Sequence, residues 1–360
     1  MPDFRVALTG DFLGGDGRPA YGAIAEQLLE ASPGVAFHYL MEQAPRQTDP
    51  SYWRNLYSMR VTPDQLQGVH GLIVLRPWVP REAIESASDL VVIGRSGAGY
   101  DKIDLAACTE FGVGLFNVPR ALDHSTASAA LMFMLALVKR LPEQQQVVRA
   151  GTWDRQAEVM GGELQGRTLG IVGLGQSGQE LARLVSPFAM RIQSFSPHAD
   201  PDTARALGVE LTSMQQLLST SDIVSLHARL RPDNHRMIGA RELAWMKPSA
   251  YFVNVARGEL IDQPALVESL RDRRIAGAAL DVFELEPLPA DDPLLKLDNV
   301  ILTPHWCAST SDIWRATGEA TALGMLRAAR GQVPDNLVNP EVVDNPEFQR
   351  KLARFACDRP

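Results

Sequence analysis

The sequence predicts an α/β protein made of two doubly wound parallel-sheet domains, on three observations. Short runs rich in Val, Ile and Leu alternate with longer helix-like segments, the pattern of parallel strands covered on both faces. The 360 residues exceed what one hydrophobic core usually organises. The strand series also restarts: one series ends near Val118, another begins at Thr168, and a helical pattern over Ser125 to Arg140 lies between them.

The first series places strands at Arg5 to Thr9, Val35 to Leu40, Gly71 to Leu75, Leu90 to Gly94 and Gly112 to Val118, enough for one small α/β domain. Residues 43–64 break the pattern with scattered prolines and the aromatics Tyr52, Trp53 and Tyr57, as an insertion or a lid would. The Ser125 to Arg140 helix is expected to bridge the domains. After Thr310 the chain reads as helix to about Arg330. Val333-Pro334-Asp335-Asn336 then forms a turn-rich exit, expected to lead back to the first domain. The expected division is therefore 1–120, completed by 311–360, and 121–310. No internal repeat or low-complexity tract is present.

With 43 acidic and 35 basic residues the net charge is −8, and no basic block suits a nucleic acid or an anionic membrane. The longest apolar stretch, Ala127 to Val138, is too short to span a bilayer and reads as a buried helix. The amino terminus runs straight into strand-like sequence, so no signal peptide and a cytoplasmic location are expected. Cys108, Cys307 and Cys357 are odd in number and lack CxxC spacing, which points to reduced thiols, with neither a disulfide framework nor a metal site.

Leu169-Gly170-Ile171-Val172-Gly173-Leu174-Gly175-Gln176-Ser177-Gly178 sets a buried strand directly before GxGxxG, and Gln179 to Val185 continues as a helix. In that context Gly173 permits a tight turn, Gly175 lets the backbone approach a pyrophosphate, and Gly178 allows helix to pack on strand. Residues 121–310 are thus expected to form a Rossmann domain holding a dinucleotide. The same reading places successive strand ends at Ser196, His227, Arg257, Asp281 and His305. Singly, such residues are commonly loop surface. Jointly they gather a phosphate loop, a guanidinium, carboxylates and an imidazole at the edge where open α/β sheets bind ligands.

These residues resemble the D-isomer-specific 2-hydroxyacid dehydrogenase family over nearly the whole chain. The carriers are Ser221-Asp222-Ile223-Val224-Ser225-Leu226-His227, Met246-Lys247-Pro248, Val253-Asn254-Val255-Ala256-Arg257-Gly258, Gly277 to Phe283, Glu286-Pro287 and Leu302-Thr303-Pro304-His305. The resemblance implies a flavodoxin-like substrate domain beside the Rossmann domain, NAD(P)(H) as the dinucleotide, and reduction of small 2-oxo acids or oxidation of 2-hydroxy acids. It also implies a catalytic set of Arg257, Glu286 and His305. A guanidinium suits the substrate carboxylate and ketone, an imidazole exchanges the proton at C2, and a carboxylate orients and charges that imidazole. Further implied contacts are Ala98 and Gly99 amides to the substrate carboxylate, Asp281 to the nicotinamide carboxamide, and Gln176, Ser177, Val255 and Ala256 around the dinucleotide. Asp222 is expected to cap or orient its strand, and Arg76 and Trp78 either line the pocket or are a surface cation and a packing ring.

Departures from the family pattern sharpen three expectations. His227-Ala228-Arg229-Leu230 puts an extra cation near the adenosine end, and Thr126-Ala127-Ser128 and Trp306-Cys307-Ala308 change the helix start and the pocket. Ser196 stands where an NAD-selective site carries Asp or Glu, and with His198 and Arg229 it favours NADP(H) over NAD(H), use of both being left open; Asp200 and Asp202 count against it. The Ala127 to Val138 face, with Met132, Phe133 and Met134, resembles the helix that family members place at a two-fold interface between cofactor domains, which implies a homodimer, internal core being the alternative. From the length, the terminal regulatory domain of the family's allosteric members is not expected. A dinucleotide-sensing binding or corepressor protein on the same fold and a phosphite-type dehydrogenase stand as alternatives; a formate-type enzyme, which uses glutamine where Glu286 stands, ranks below them.

Overall fold

The computed structural model describes residues 3–44 and 51–356. Cys357 and residues 45–50 of the irregular segment lie outside the described residues. The chain divides into two compact units, Met1–Leu122 with Ser309–Pro360, and Asp123–Ala308.

The first unit holds β1 (Phe4–Thr9), β2 (Val35–Leu40), β3 (Gly71–Val74), β4 (Val92–Arg95) and β5 (Gly114–Asn117), all parallel, in the order β2-β1-β3-β4-β5. β3 and β5 are wholly buried, as strands covered by helices must be, whereas edge strand β2 alternates exposed and half-buried positions along most of its length. The Ser311–Ala328 helix packs on β3 and β4. It comes so close that a Cβ at Gly94 would lie 2.8 Å from Met325 and 3.0 Å from Thr321 of the helix. Of the irregular segment, Tyr52 and Leu56 are buried, and Val61 and Trp78 tie it to the loop beyond β3: the Val61 amide donates to the Trp78 carbonyl and the Trp78 amide to Met59, both at 2.8 Å.

The second unit holds β6 (Thr168–Val172), β7 (Arg191–Phe195), β8 (Val209–Leu211), β9 (Ile223–Leu226), β10 (Tyr251–Asn254), β11 (Gly277–Leu280) and β12 (Val300–Leu302). They are parallel in the order β12-β11-β10-β9-β6-β7-β8. The order reverses at β6, flanked by β7 and β9, which is the switch point where such sheets open a crevice at their carboxyl ends. At the opposite edge Asp222 accepts from the Thr168 amide and from Lys247 Nζ, at 2.8 and 2.9 Å, aligning β6 with β9. The expected Ser125 to Arg140 helix spans Asp123–Val138, and its end is set by Arg140, whose left-handed backbone (φ 55°) starts the next helix at Leu141. Phe133 and Met134 of that helix are fully buried in the unit's own core, so of the three side chains expected on a dimer face only Met132 is exposed.

Each unit buries one histidine. His70 accepts the Arg5 amide on Nδ1 at 2.9 Å, and burial first and the Arg5 charge second hold its pKa down to about 4. His227 is likewise held down to about 4, by burial. In the unfolded chain an imidazole protonates near pH 6.5, so in both cases the unfolded state binds the proton first as pH falls. The stability each neutral ring contributes is complete above about pH 6.5 and is lost between there and about pH 4, to the extent of roughly 3 kcal/mol apiece. His70→Asn keeps an acceptor at the Nδ1 position but cannot titrate. Urea midpoints between pH 7.5 and 4.5 should therefore fall less steeply for H70N than for wild type, and equal slopes would show that His70 is already protonated in the fold.

Candidate active site

The glycine turn follows β6. Gly173 has φ 98°, donates its amide to the Phe195 carbonyl at 2.9 Å, and could carry no side chain, since a Cβ would lie 2.6 Å from the Ala228 nitrogen. At Gly178 a Cβ would fall 2.4 Å from the Gly173 oxygen. Gly175 differs: a Cβ there would meet no protein atom within 4 Å. The protein's own packing does not require that glycine, whereas backbone approach by a pyrophosphate does. Gly175 caps the Gln176–Val185 helix without a side-chain hydrogen bond, so the positive end of the helix dipole opens onto the turn.

Ser177 Oγ lies 3.1 Å from His227 Nδ1, and His227 Nε2 lies 3.0 Å from Ser225 Oγ. The buried, neutral His227 is thus a strut between β9 and the helix start. Ser196 directly follows β7, is half-buried, and accepts the Ala199 amide on its carbonyl; His198 and Arg229 are exposed. The neighbouring carboxylates are engaged elsewhere. Asp200 accepts from the Thr203 amide and hydroxyl as a helix cap, and Asp202 pairs with Arg205.

Beyond β10 the turn that carries Val255, Ala256 and Arg257 is clamped by Asn254. Its Oδ1 accepts the Ala256 amide at 3.0 Å and its Nδ2 donates to the Arg257 carbonyl at 2.8 Å. Beyond β11, Glu286 accepts the Phe283 amide on Oε1 at 3.1 Å and meets His305 Nδ1 with Oε2 at 2.8 Å. Burial works to raise the Glu286 pKa, but the hydrogen bond and charge of His305, the Phe283 amide and the Arg257 guanidinium together hold it below the usual range, so it stays a carboxylate. A carboxylate on Nδ1 makes that the protonated nitrogen of the neutral ring and puts the ring's lone pair on Nε2. His305 has a left-handed backbone, φ 54°, beyond β12. Asp281, 4% exposed, holds this turn: Oδ1 accepts the Thr303 hydroxyl (2.5 Å), the Trp306 amide (2.9 Å) and the Cys307 amide (3.1 Å), and its carbonyl accepts the His305 amide (2.7 Å).

In the first unit the loop after β4 is held by the Val118 amide on the Gly97 carbonyl (3.1 Å) and by Asn117 Nδ2 on the Ala98 carbonyl (2.7 Å). Among the described residues none accepts from the Ala98 or Gly99 amide, and Gly99 is half-exposed, as an anion site requires. Arg76 is not the surface cation the sequence allowed. Its side chain is largely buried and ion-paired with the fully buried Asp11, while Trp78 donates its indole N–H to the Tyr57 carbonyl at 3.1 Å. Asn254, Ser225 and Asp11 are the supporting residues that sequence reasoning missed. For the first two the signal was a polar residue at the buried end of an apolar strand.

Residues 131–307 match the family described as D-isomer specific 2-hydroxyacid dehydrogenase, NAD binding domain. The chain is 42% identical over 262 residues to a D-3-phosphoglycerate dehydrogenase of Methanocaldococcus jannaschii, covering 72% of this chain and 50% of that protein. To a glyoxylate reductase of Korarchaeum cryptofilum it is 38% identical over 290 residues, covering 79% and 87%. Among solved structures, a glyoxylate reductase from Paecilomyes thermophila superposes with a TM-score of 0.78 at 28% identity over 94% of this chain and 99% of that one. With these matches spanning both units, the chain belongs to the D-isomer-specific 2-hydroxyacid dehydrogenase family.

Proposed function

We propose that this protein reduces small 2-oxo acids to 2-hydroxy acids with NAD(P)H, Arg257 anchoring the carboxylate and polarising the ketone, His305 giving the proton to the C2 oxygen, and Glu286 positioning the imidazole. Residues 123–308 would hold the dinucleotide, and 1–122 with 309–360 the substrate, through the Ala98 and Gly99 amides. The observation that carries the reading is the 2.8 Å pair between His305 Nδ1 and Glu286, within the field of Arg257, beyond three neighbouring strands. When bound, the nicotinamide supplies the hydride. Oxidation runs the same groups in reverse, His305 then taking the hydroxyl proton.

The dinucleotide fits the residues present. The Gly173–Gly178 turn leaves the Gly175 backbone approachable, and Val255, Ala256 and Asp281 stand past the β10 and β11 ends. A preference for NADP(H) is the finer proposal, supported by Ser196 after β7 and by the engagement of Asp200 and Asp202 in the following helix. No helix among the described residues is long and apolar enough to cross a membrane. A cytoplasmic setting is supported by free thiols at Cys108 and Cys307. A homodimer is supported by exposed Met132, Leu141, Val148, Trp153 and Met160 on consecutive segments, apolar surface that monomers rarely leave open.

His305→Ala should lower turnover on glyoxylate by roughly 10²–10⁴-fold while dinucleotide binding survives, read by steady-state absorbance at 340 nm and by fluorescence titration. Wild-type turnover in that variant would remove His305 from the chemistry. Glu286→Gln removes the charge that supports a protonated imidazole, so the alkaline limb of the reductive pH profile should move to lower pH; an unmoved limb would mean that Glu286 has no electrostatic part.

Coenzyme choice is tested by kcat/KM for NADH and NADPH in wild type and Ser196→Asp. Restoring a carboxylate beyond β7 should penalise NADPH selectively, and an unchanged ratio would show that Ser196 does not face the ribose. Light scattering at micromolar concentration should give twice the 39.4 kDa chain mass, and a monomeric mass at high concentration would remove the dimer.

A further inference from the structure

The two named kinds of relative act on acids that differ in one chemical respect. A phosphoglycerate carries a phosphate at the far end of its side chain, whereas glyoxylate has no side chain at all. Which of these suits this chain depends on the cations of the first unit's carboxyl edge, where Asp11, Arg76 and the Ala98–Gly99 loop follow β1, β3 and β4, three adjacent strands.

Arg76 is the buried cation there, and its charge is already matched. Asp11 Oδ2 accepts from the Arg76 amide at 3.1 Å and from Nη1 at 3.4 Å, and Asp11 Oδ1 accepts the Thr9 hydroxyl at 2.6 Å. The Arg76 side chain is 12% exposed and that of Asp11 0%. Arg76 Nη1 also donates to the Tyr21 hydroxyl at 3.3 Å, and Tyr21 stacks on Trp314 with ring centres 4.0 Å apart. Burial opposes the guanidinium charge, but the Asp11 carboxylate outweighs it and keeps Arg76 protonated. Nearby cations are also engaged: Lys102 donates to the Tyr57 carbonyl and faces the Tyr57 and Trp78 rings, and Arg95 folds back onto the Ser96 carbonyl. A dianionic phosphate brought to this edge would find the Arg76 charge already neutralised by the Asp11 carboxylate, and a second anion on one guanidinium in a poorly solvated place is costly.

We propose that the Asp11–Arg76 pair is a specificity determinant that excludes a second anionic group from the substrate, so that the enzyme takes small 2-oxo acids whose only charge is the carboxylate. This rests on the reductase reading above. Hydroxypyruvate and 3-phosphohydroxypyruvate differ only by the phosphate and are the probes. Wild type should favour hydroxypyruvate in kcat/KM by about a hundredfold or more. Asp11→Asn, which keeps the shape and removes the charge, should narrow that ratio at least about tenfold by improving use of the phosphorylated acid, and Asp11→Glu should keep it wide. A wild-type enzyme that prefers 3-phosphohydroxypyruvate overturns the inference without any variant, and so does a D11N ratio equal to wild type; in both cases 2-oxo acid reduction itself stands. No turnover on either acid or on glyoxylate, with both coenzymes, overturns the reductase reading and this inference with it.

Discussion

The carboxylate of Asp281 fixes the turn on which His305 sits. A non-glycine residue in the left-handed region costs on the order of 1 kcal/mol, and His305 adopts that backbone only because its surroundings over-determine it. Three donors from residues 303–307 converge on one Asp281 oxygen while the Asp281 carbonyl takes the His305 amide. Hydrogen bonds to a buried charge are the strong kind, so the set offsets both the strain and the cost of burying the carboxylate. Without this turn Glu286 would have no imidazole to hold.

The same device recurs at two other loops of the carboxyl edges. A parallel sheet satisfies its backbone by ladders, but the loops at its carboxyl edge lose those partners at once, and buried amides left unpaired are costly. Asn254 serves the Arg257 turn, Asp281 the His305 turn, and Asn117 the Ala98 loop, each from the last strand residue or the one after it, and all three are at most 5% exposed. These side chains replace the missing ladder. They explain why apolar strands here end in buried polar residues, and why the functional side chains themselves need not be structural.

Much of the fold was legible because it rests on local signals. Apolar runs marked the strands, whose ends shifted by one or two residues where the ladder stops short of the apolar run, as at Leu75 and Val118. The glycine turn and the pairing of Glu286 with His305 were legible because motif and spacing travel together in sequence. What escaped reading depends on long-range adjacency. Asp11 and Arg76 are 65 residues apart and meet only because β1 and β3 are neighbours, a fact of topology that neither segment encodes alone. The protonation state of His227 escaped for a similar reason: the residue type suggests a titrating group, and only its complete enclosure makes it a neutral strut.

The carboxyl edge of the second sheet is divided electrically by the order of its strands. Past β6, β7 and β9 stand the glycine turn, Ser196 and a His227 that burial keeps uncharged, so His227 adds no charge to the field of the helix amino terminus, which favours an anion. Past β10, β11 and β12 stand the formal charges of Arg257 and Glu286 and the imidazole of His305. An imidazolium at His227 would sit beneath the positive end of the Gln176–Val185 helix, adding to its field but at the cost of repulsion and desolvation. Keeping that ring neutral lets it brace Ser177 without such a penalty. It leaves the glycine turn itself to backbone dipoles, with the nearest formal positive charge in sequence, Arg229, two residues past His227 along the exposed loop.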